Sequence, residues 1–511
     1  MTNTIAKAKT GTYIGHQLDN GVIEFLGIPY VQAPKRWKKA EPLPASDEAF
    51  EADHYGHPCW QVVFPEEWEE TPDMSEDCLA LNIWTSDTDA KGKPVMVWIH
   101  GGSYYTGAAH IDCFGGVYCG DKFVESQPDI VYVNFNYRLN VFGMLDLSHL
   151  EGAEEYEDSL NLATYDQMAA IRWVKENIEA FGGDPENITV FGQSAGGGSV
   201  STLCCIPQAN EMFQKAIIQS AGLSDKTIRH QQEAKTVGMK ITEKLGAKSM
   251  DDMLAVSAEK LRNAAEWYFD EAGGDNGAPF DATWGVGLLP QEPLEGLRKG
   301  SASHLAVMTG STSGEYASWV ATMTSDEIRQ MAKDAMPCES AEGVSSRLSD
   351  ETIDAFIAND PDRSERDALI DLHMDVLLRG IQLTMAEALV AGGSTVYDYY
   401  ISCVPEGAQY KPQYCFEIPY IVGKPYNYVY LDAASGEPVQ GKNPIMKLVG
   451  ELQGSWAAFA RSGNPNGPHL TADWTPYTME NHETLVIDYD LNLVNGVRDN
   501  DWALVAPLHH D

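Results

Sequence analysis

Positive charge is scarce in this chain: 35 lysines and arginines stand against 75 aspartates and glutamates in 511 residues, a formal net charge of −40. A phosphate backbone or an anionic lipid surface is repelled by most of such a surface, so neither nucleic acid nor a membrane is an expected partner. The acidity reads first as a source of solubility and second as an attraction for cationic substrates. No apolar run is long enough to span a bilayer, and the opening Met-Thr-Asn-Thr-Ile-Ala-Lys-Ala-Lys lacks the uninterrupted apolar core of a secretory signal, so a cytoplasmic location is expected. Cysteine is thinly spread: nine residues, an odd number, with no CxxC or Cys/His ligand spacing. Neither a structural zinc site nor a fully paired disulfide framework is expected, and nothing calls for a metal or an organic cofactor.

The chain has ample length for a large core. Apolar, β-rich runs alternate with helix-like stretches: Val95 to Ile99, Ile130 to Asn134, Ile188 to Phe191, Ala216 to Gln219, Leu305 to Thr309 and Thr395 to Ile401. Runs that are apolar throughout, rather than at every second residue, suit strands covered on both faces, which predicts an α/β fold with a largely parallel sheet between helices. Met168, Ile171, Val174 and Ile178 recur at helical spacing and predict a helix from Leu162 to Ala180, stopped by Phe181-Gly-Gly-Asp-Pro185. No repeat, low-complexity tract or Gly/Ser linker divides residues 1–511, so a single domain is expected, with a helical insertion over residues 324–391 beside the sheet.

Gly192-Gln193-Ser194-Ala195-Gly196 follows the strand Ile188 to Phe191 directly and opens into Gly197-Gly198-Ser199. A serine on a sharp strand-to-helix turn needs small flanking residues, and this is the context of a nucleophile elbow. His100-Gly101-Gly102-Ser103 closes the strand Val95 to Ile99. Acyl transfer places negative charge on a carbonyl oxygen, and glycines let backbone N–H groups approach it, so Gly101, Gly102 and Ala195 are the expected oxyanion hole. His100 is expected to be a buried, hydrogen-bonded residue that orients this loop rather than a catalytic group. Trp60, Tyr104, Tyr105 and Phe416 flank the expected site and hint at an aromatic, apolar pocket, although such residues are more often core than pocket lining.

With these residues in view, the sequence resembles the type-B carboxylesterase/cholinesterase family of the α/β-hydrolase fold, from Gly11 to about Tyr477. Its marks include Phe25-Leu-Gly-Ile-Pro-Tyr30, Glu76-Asp-Cys-Leu-Ala-Leu-Asn82, Asn136-Tyr-Arg138, Asp166-Gln167, Phe191-Gly-Gln-Ser-Ala-Gly-Gly197, Ile217-Ile-Gln-Ser220 and Trp456-Ala-Ala-Phe-Ala-Arg-Ser-Gly-Asn-Pro-Asn466. The resemblance implies a central, mostly parallel sheet with helices on both faces and a small-molecule ester substrate. It also implies Glu315, in Gly310-Ser-Thr-Ser-Gly-Glu-Tyr316, as the carboxylate of a catalytic triad. Cys59 and Cys78 match a pair that is disulfide-bonded in secreted relatives; in a reducing compartment they are expected to stay thiols.

The pattern breaks at one position. The family's histidine lies in a stretch resembling His-x-x-Glu-Leu-Pro-Tyr, and here that stretch reads Tyr414-Cys-Phe-Glu-Ile-Pro-Tyr420, so Tyr414 takes the histidine's place. No histidine lies between His373 and His469, and both of those read as structural. A tyrosine needs its pKa lowered by roughly three units, about 4 kcal/mol, to serve as a base near neutrality. Hydrolysis is therefore expected to be slow, and three readings follow. The first is an esterase whose base comes from another group or from the substrate. The second is a lyase or isomerase that uses Ser194, Glu315 and Tyr414 for proton transfer while the oxyanion hole holds an enolate. The third is a binding protein that has lost catalysis. The intact Gly-x-Ser-x-Gly, His-Gly-Gly and Glu315 favour the hydrolase.

Overall fold

The computed structural model describes residues 4–62, 72–110, 117–224, 229–272, 280–317, 319–340, 343–403, 411–424 and 445–510. The apolar runs become strands of one eleven-stranded sheet. In chain order these are β1 (His16–Gln17), β2 (Ile23–Pro29), β3 (Ala80–Thr85), β4 (Lys93–Ile99), β5 (Val131–Phe135), β6 (Gly183–Gln193), β7 (Lys215–Gln219), β8 (Ala306–Thr312), β9 (Thr395–Ile401), β10 (Glu483–Ile487) and β11 (Leu491–Asn495). Across the sheet the order is β11, β10, β9, β8, β7, β6, β4, β5, β3, β2, β1. Every pairing from β5 to β10 is parallel, and both margins are antiparallel. This is the α/β-hydrolase sheet that the sequence predicts.

The continuous apolar runs have a direct cause. Val95, Val97 and Ile99 of β4 feed one hydrophobic core, while Met96 and Trp98 feed a second core on the opposite face. Each strand residue therefore faces oil whichever way it points. The helix α1 (Leu162–Asn177) covers the first core, with Met168, Ile171 and Val174 buried. Its predicted last turn tightens into a 3₁₀ segment, Ile178–Phe181, and stops at Gly182, whose φ of +88° suits glycine. Strand β6 starts earlier than its apolar run, because a register shift between Lys93 and Val95 lets Gly183 join the sheet.

Between β8 and β9 lie the helices expected for residues 324–391, here numbered after α2 (Ala195–Cys205): α3 (Ser325–Asp334), α4 (Asp350–Ala358), α5 (Glu365–Met374) and α6 (Gly380–Ala391). A short antiparallel strand pair, Pro337–Ser340 with Gly343–Ser346, interrupts them where only helices and turns were expected. Among the described residues no helix is long and apolar enough to cross a membrane.

The Asn136-Tyr-Arg138 and Asp166 marks turn out to be one buried ion pair. The Arg138 Nε and Nη2 groups each donate to the Asp166 carboxylate at 2.7 Å, and Arg138 Nη1 donates to the Lys38 carbonyl at 2.7 Å. Both side chains are almost fully buried. Deleting one partner of such a pair strands a charge in low dielectric. Arg138→Ala is accordingly expected to lower the unfolding free energy by about 3–5 kcal/mol, read as a lower urea midpoint.

Candidate active site

Three loops meet at the carboxyl ends of the central strands. The chain leaves β4 toward β5 on one side and leaves β6 toward β7 on the other, so the two outgoing loops diverge and open a crevice, as at the switch point of open α/β sheets. The His100-Gly101-Gly102 loop follows β4, and Ser194 follows β6.

Ser194 has φ +61° and ψ −133°, a conformation that L-residues rarely adopt, between the end of β6 and the start of α2. The strain is held by packing and by two backbone bonds: the Ser194 N–H donates to the Gln219 carbonyl at 3.1 Å, and the Gly198 N–H to the Ser194 carbonyl at 2.8 Å. A Cβ on Gly196 would sit 2.0 Å from the Ile99 carbonyl oxygen, and one on Gly192 would sit 2.6 Å from the Gly196 carbonyl carbon. The turn therefore closes only with glycine at both positions.

The loop after β4 lies against this turn. A Cβ on Gly101 would come 3.1 Å from the Ser194 Cβ and 3.6 Å from its Oγ. Gly102 has φ +103°, and its carbonyl accepts from the N–H groups of Tyr105 and Thr106. Gln61 braces the far side, its Oε1 accepting from the Gly107 N–H at 2.6 Å and the Thr106 hydroxyl at 2.9 Å. His100 is buried, stacks on Tyr137 at 4.4 Å, and donates from Nδ1 to the Gly101 carbonyl at 2.8 Å. Burial pulls its pKa down to about 4, so it is a neutral prop for the loop, as the sequence reading expects. Among the described residues, no protein acceptor takes the N–H of Gly101, Gly102 or Ala195.

Glu315 follows β8 and is buried. Its Oε1 accepts from the Ser220 hydroxyl at 2.7 Å and from the Thr312 N–H at 2.8 Å, while its Oε2 has no partner among the described residues. Burial, followed by the nearby Glu417 carboxyl, pushes the pKa of Glu315 up to about 8. Glu315 thus carries its proton at neutral pH.

Tyr414 lies in polar contact with the Ser194 side chain and within the field of Glu315. Its ring keeps some exposure and packs on Trp319 at 5.3 Å. The protein packed around the phenol nonetheless raises its pKa well above the ordinary tyrosine range. Cys415, at φ +66°, donates from Sγ to the Gln193 Oε1 at 3.1 Å and pins this turn to the serine's own turn. Ser194, Glu315 and Tyr414 are therefore brought together, with Gly101, Gly102 and Ala195 beside them.

His373 and His469 take the structural places expected of them. His373 touches the ring of Tyr316 at 4.5 Å, and His469 bonds the Pro465 carbonyl beside Gly454 and Gly467. Among the described residues no hydrogen bond links an imidazole to Ser194 or Glu315. Phe416 is buried in the second core against Tyr420, the core placement that such aromatics favour, and does not line the pocket. The Tyr104 hydroxyl reaches the Ser199 Oγ at 3.2 Å and supports α2. The thiols of Cys59 and Cys78 are free, buried and in hydrogen-bonding contact with each other. Gln219, Ser220 and Glu417 surround the triad positions and were visible in the sequence only as members of family-like motifs.

The chain matches the Carboxylesterase family over residues 3–505. It is 33% identical over 507 residues to the para-nitrobenzyl esterase of Bacillus subtilis (strain 168), covering 97% of each chain, and 28% identical over 494 residues to the acetylcholinesterase of Bungarus fasciatus, covering 90% of this chain and 78% of that one. Its structure superposes on a Geobacillus stearothermophilus carboxylesterase with a TM-score of 0.81 at 29% identity, covering 98% of this chain and 100% of that one. A thermophilic PNB esterase gives a TM-score of 0.82 at 29% identity, covering 99% of this chain and 100% of that one. Similar to esterases along nearly its whole length, and carrying a serine on a strained strand-to-helix turn beneath a glycine loop, this chain belongs to the carboxylesterase family.

Proposed function

We propose that the protein hydrolyses small-molecule carboxylic esters through Ser194, with Glu315 as the base and the Tyr414 hydroxyl as the relay between them. One observation carries this reading: a buried carboxyl with a raised pKa and an unpartnered oxygen stands behind a tyrosine that faces the serine. As Ser194 Oγ attacks the ester carbonyl, its proton passes to the Tyr414 oxygen while the Tyr414 hydroxyl, turned to within hydrogen-bond reach of Glu315 Oε2, gives up its own proton there. The phenol keeps one proton throughout, so the cost of a free phenolate is avoided. The amides of Gly101, Gly102 and Ala195 hold the oxyanion. Collapse expels the alcohol, which regains the proton along the same path, and water then attacks the acyl-serine by the same relay to release the acid.

Residues 1–511 act in this reading as one α/β-hydrolase domain, with the helices of residues 324–391 walling the site. Trp319, 59% exposed and tilted against the Tyr414 ring, gives an arriving ester an apolar face. The mechanism needs no metal, and the described residues contain no group of three or more His, Cys, Asp or Glu able to hold one.

The base works only when deprotonated, so kcat/KM rises with pH about tenfold per unit up to about 8 and levels above it. At pH 7 only about a tenth of Glu315 is ionised, which keeps turnover slow. Hydrolysis of p-nitrophenyl acetate by the purified protein, followed from pH 6 to 10, tests this. The expected result is turnover that is lost in Ser194→Ala and follows that limb. Turnover equal in wild type and Ser194→Ala would overturn it in favour of a silent binding protein or a reaction elsewhere.

A further inference from the structure

We propose that Glu417 is a positioning residue for this reaction: clamped with Glu315 at the Gln219–Ser220 corner, its buried carboxyl acts on Glu315 by its charge and so sets the pH at which Glu315 can accept a proton from the nucleophile. The inference rests on the reading of Glu315 as the base.

The corner at the end of β7 holds the whole arrangement. The Gln219 carbonyl accepts the amide of Ser194 at 3.1 Å. The Gln219 Nε2 donates to Glu417 Oε1 at 3.1 Å, and the Trp456 Nε1 donates to the Gln219 Oε1 at 3.4 Å, which fixes which end of the amide faces the carboxyl. The next residue, Ser220, is held at φ +47°, and its hydroxyl donates to Glu315 Oε1 at 2.7 Å. Two adjacent residues thus clamp two carboxyls that are far apart in sequence, each by one oxygen.

The other oxygens are left over. Glu315 Oε2, Glu417 Oε2 and the Tyr399 hydroxyl are buried without a hydrogen-bond partner among the described residues, and the charges of both carboxyls act on Tyr399. The groups facing Glu315 are Glu417, Ser220, Thr312, Tyr316, Tyr399 and Tyr414; those facing Glu417 are Gln219, Glu315 and Tyr399. Beyond Tyr399, Asp398 is held by Gln382 and Thr484. Among the described residues neither carboxyl has an ion pair with lysine, arginine or histidine. Two buried carboxyls without a cation cannot both ionise cheaply, so the pair retains a proton and titrates as a unit.

Removing the Glu417 charge lets Glu315 ionise more readily. Glu417→Gln keeps the shape and the bond to Gln219 through its amide oxygen, and is expected to move the limb of kcat/KM on p-nitrophenyl acetate down by about one pH unit. Activity at pH 7 then rises about fivefold, while the alkaline plateau changes little. A limb that stays at its wild-type position in folded Glu417→Gln overturns the proposal and makes Glu417 structural. Glu315→Gln separates the two claims: a limb that survives in that variant sinks the reading of Glu315 as base, whereas a limb lost there but unmoved in Glu417→Gln sinks only the role of Glu417. If Glu417→Gln does not fold, infrared difference spectra of the wild type between pH 6 and 10 decide. Loss of a buried carboxylic-acid carbonyl band across the kinetic limb supports the pair, and the absence of any such band contradicts it.

Discussion

The Tyr414→His variant is expected to hydrolyse p-nitrophenyl esters at pH 7 on the order of a thousandfold faster than the wild type. Tyr414 already faces Ser194 and lies in the field of Glu315, so an imidazole there can take the serine proton with one nitrogen. Its other N–H can donate to Glu315 Oε2, which at present has no partner among the described residues. That donor, and the positive charge that develops on the ring, favour the ionised carboxylate and reverse the effect of burial that now holds Glu315 at about 8. The pH limb should fall toward the ordinary imidazole range near 6.5. Losing the base in a related triad costs about a million-fold, so a gain of about a thousandfold allows for imperfect placement of the new ring. Tyr414→Phe removes the relay without supplying a base and should lose the wild-type activity. A histidine variant that folds and gains nothing would mean that the oxyanion amides or the serine are not in working order.

The second large effect is a loss. Gly196→Ala places a Cβ 2.0 Å from the Ile99 carbonyl oxygen and 2.9 Å from the His100 carbonyl carbon and oxygen. Only backbone can move to relieve that contact, and the backbone in question is the strand end from which Gly101 and Gly102 hang. The serine's turn and the glycine loop therefore separate, and the amides lose their common target. Labelling of Ser194 by a fluorophosphonate is expected to slow by about 100–1,000-fold. The fold should survive at a cost of about 1–3 kcal/mol, readable from the urea midpoint. Unchanged labelling would show that the two loops do not cooperate in holding a developing charge.

What could be read in the sequence, and what could not, follows from where each signal resides. Strands β4 to β9 announce themselves because they lie between two cores, and burial on both faces leaves an unbroken apolar run. The short β1 and the hairpin β10–β11 do not, since His16, Gln17, Asn492 and Val494 are exposed and the pattern there is weak. Ser194 and Gly101 were legible because their chemistry demands local sequence, a turn or a loop that only glycine permits. Glu315 and Tyr414 needed the family likeness, because an isolated side chain carries no periodicity. The Gln219–Ser220 corner escaped for a further reason: Gln219 and Glu417 meet only in the folded chain, and their contact leaves no local trace. For Phe416 the sequence left both places open, because an aromatic beside a catalytic turn and an aromatic in a core look alike until packing is known.

The claim on which the account depends is that Ser194 is activated through Tyr414 by Glu315, in the absence of an imidazole. The rate at which a fluorophosphonate labels Ser194, measured from pH 6 to 10 in the wild type and in Glu315→Gln, tests it without any need to know the natural ester. The expected result is a wild-type rate that climbs to a plateau near pH 8 and a slow, flat profile in the variant. Equal profiles in the two proteins, or a serine that resists labelling at every pH, would contradict it.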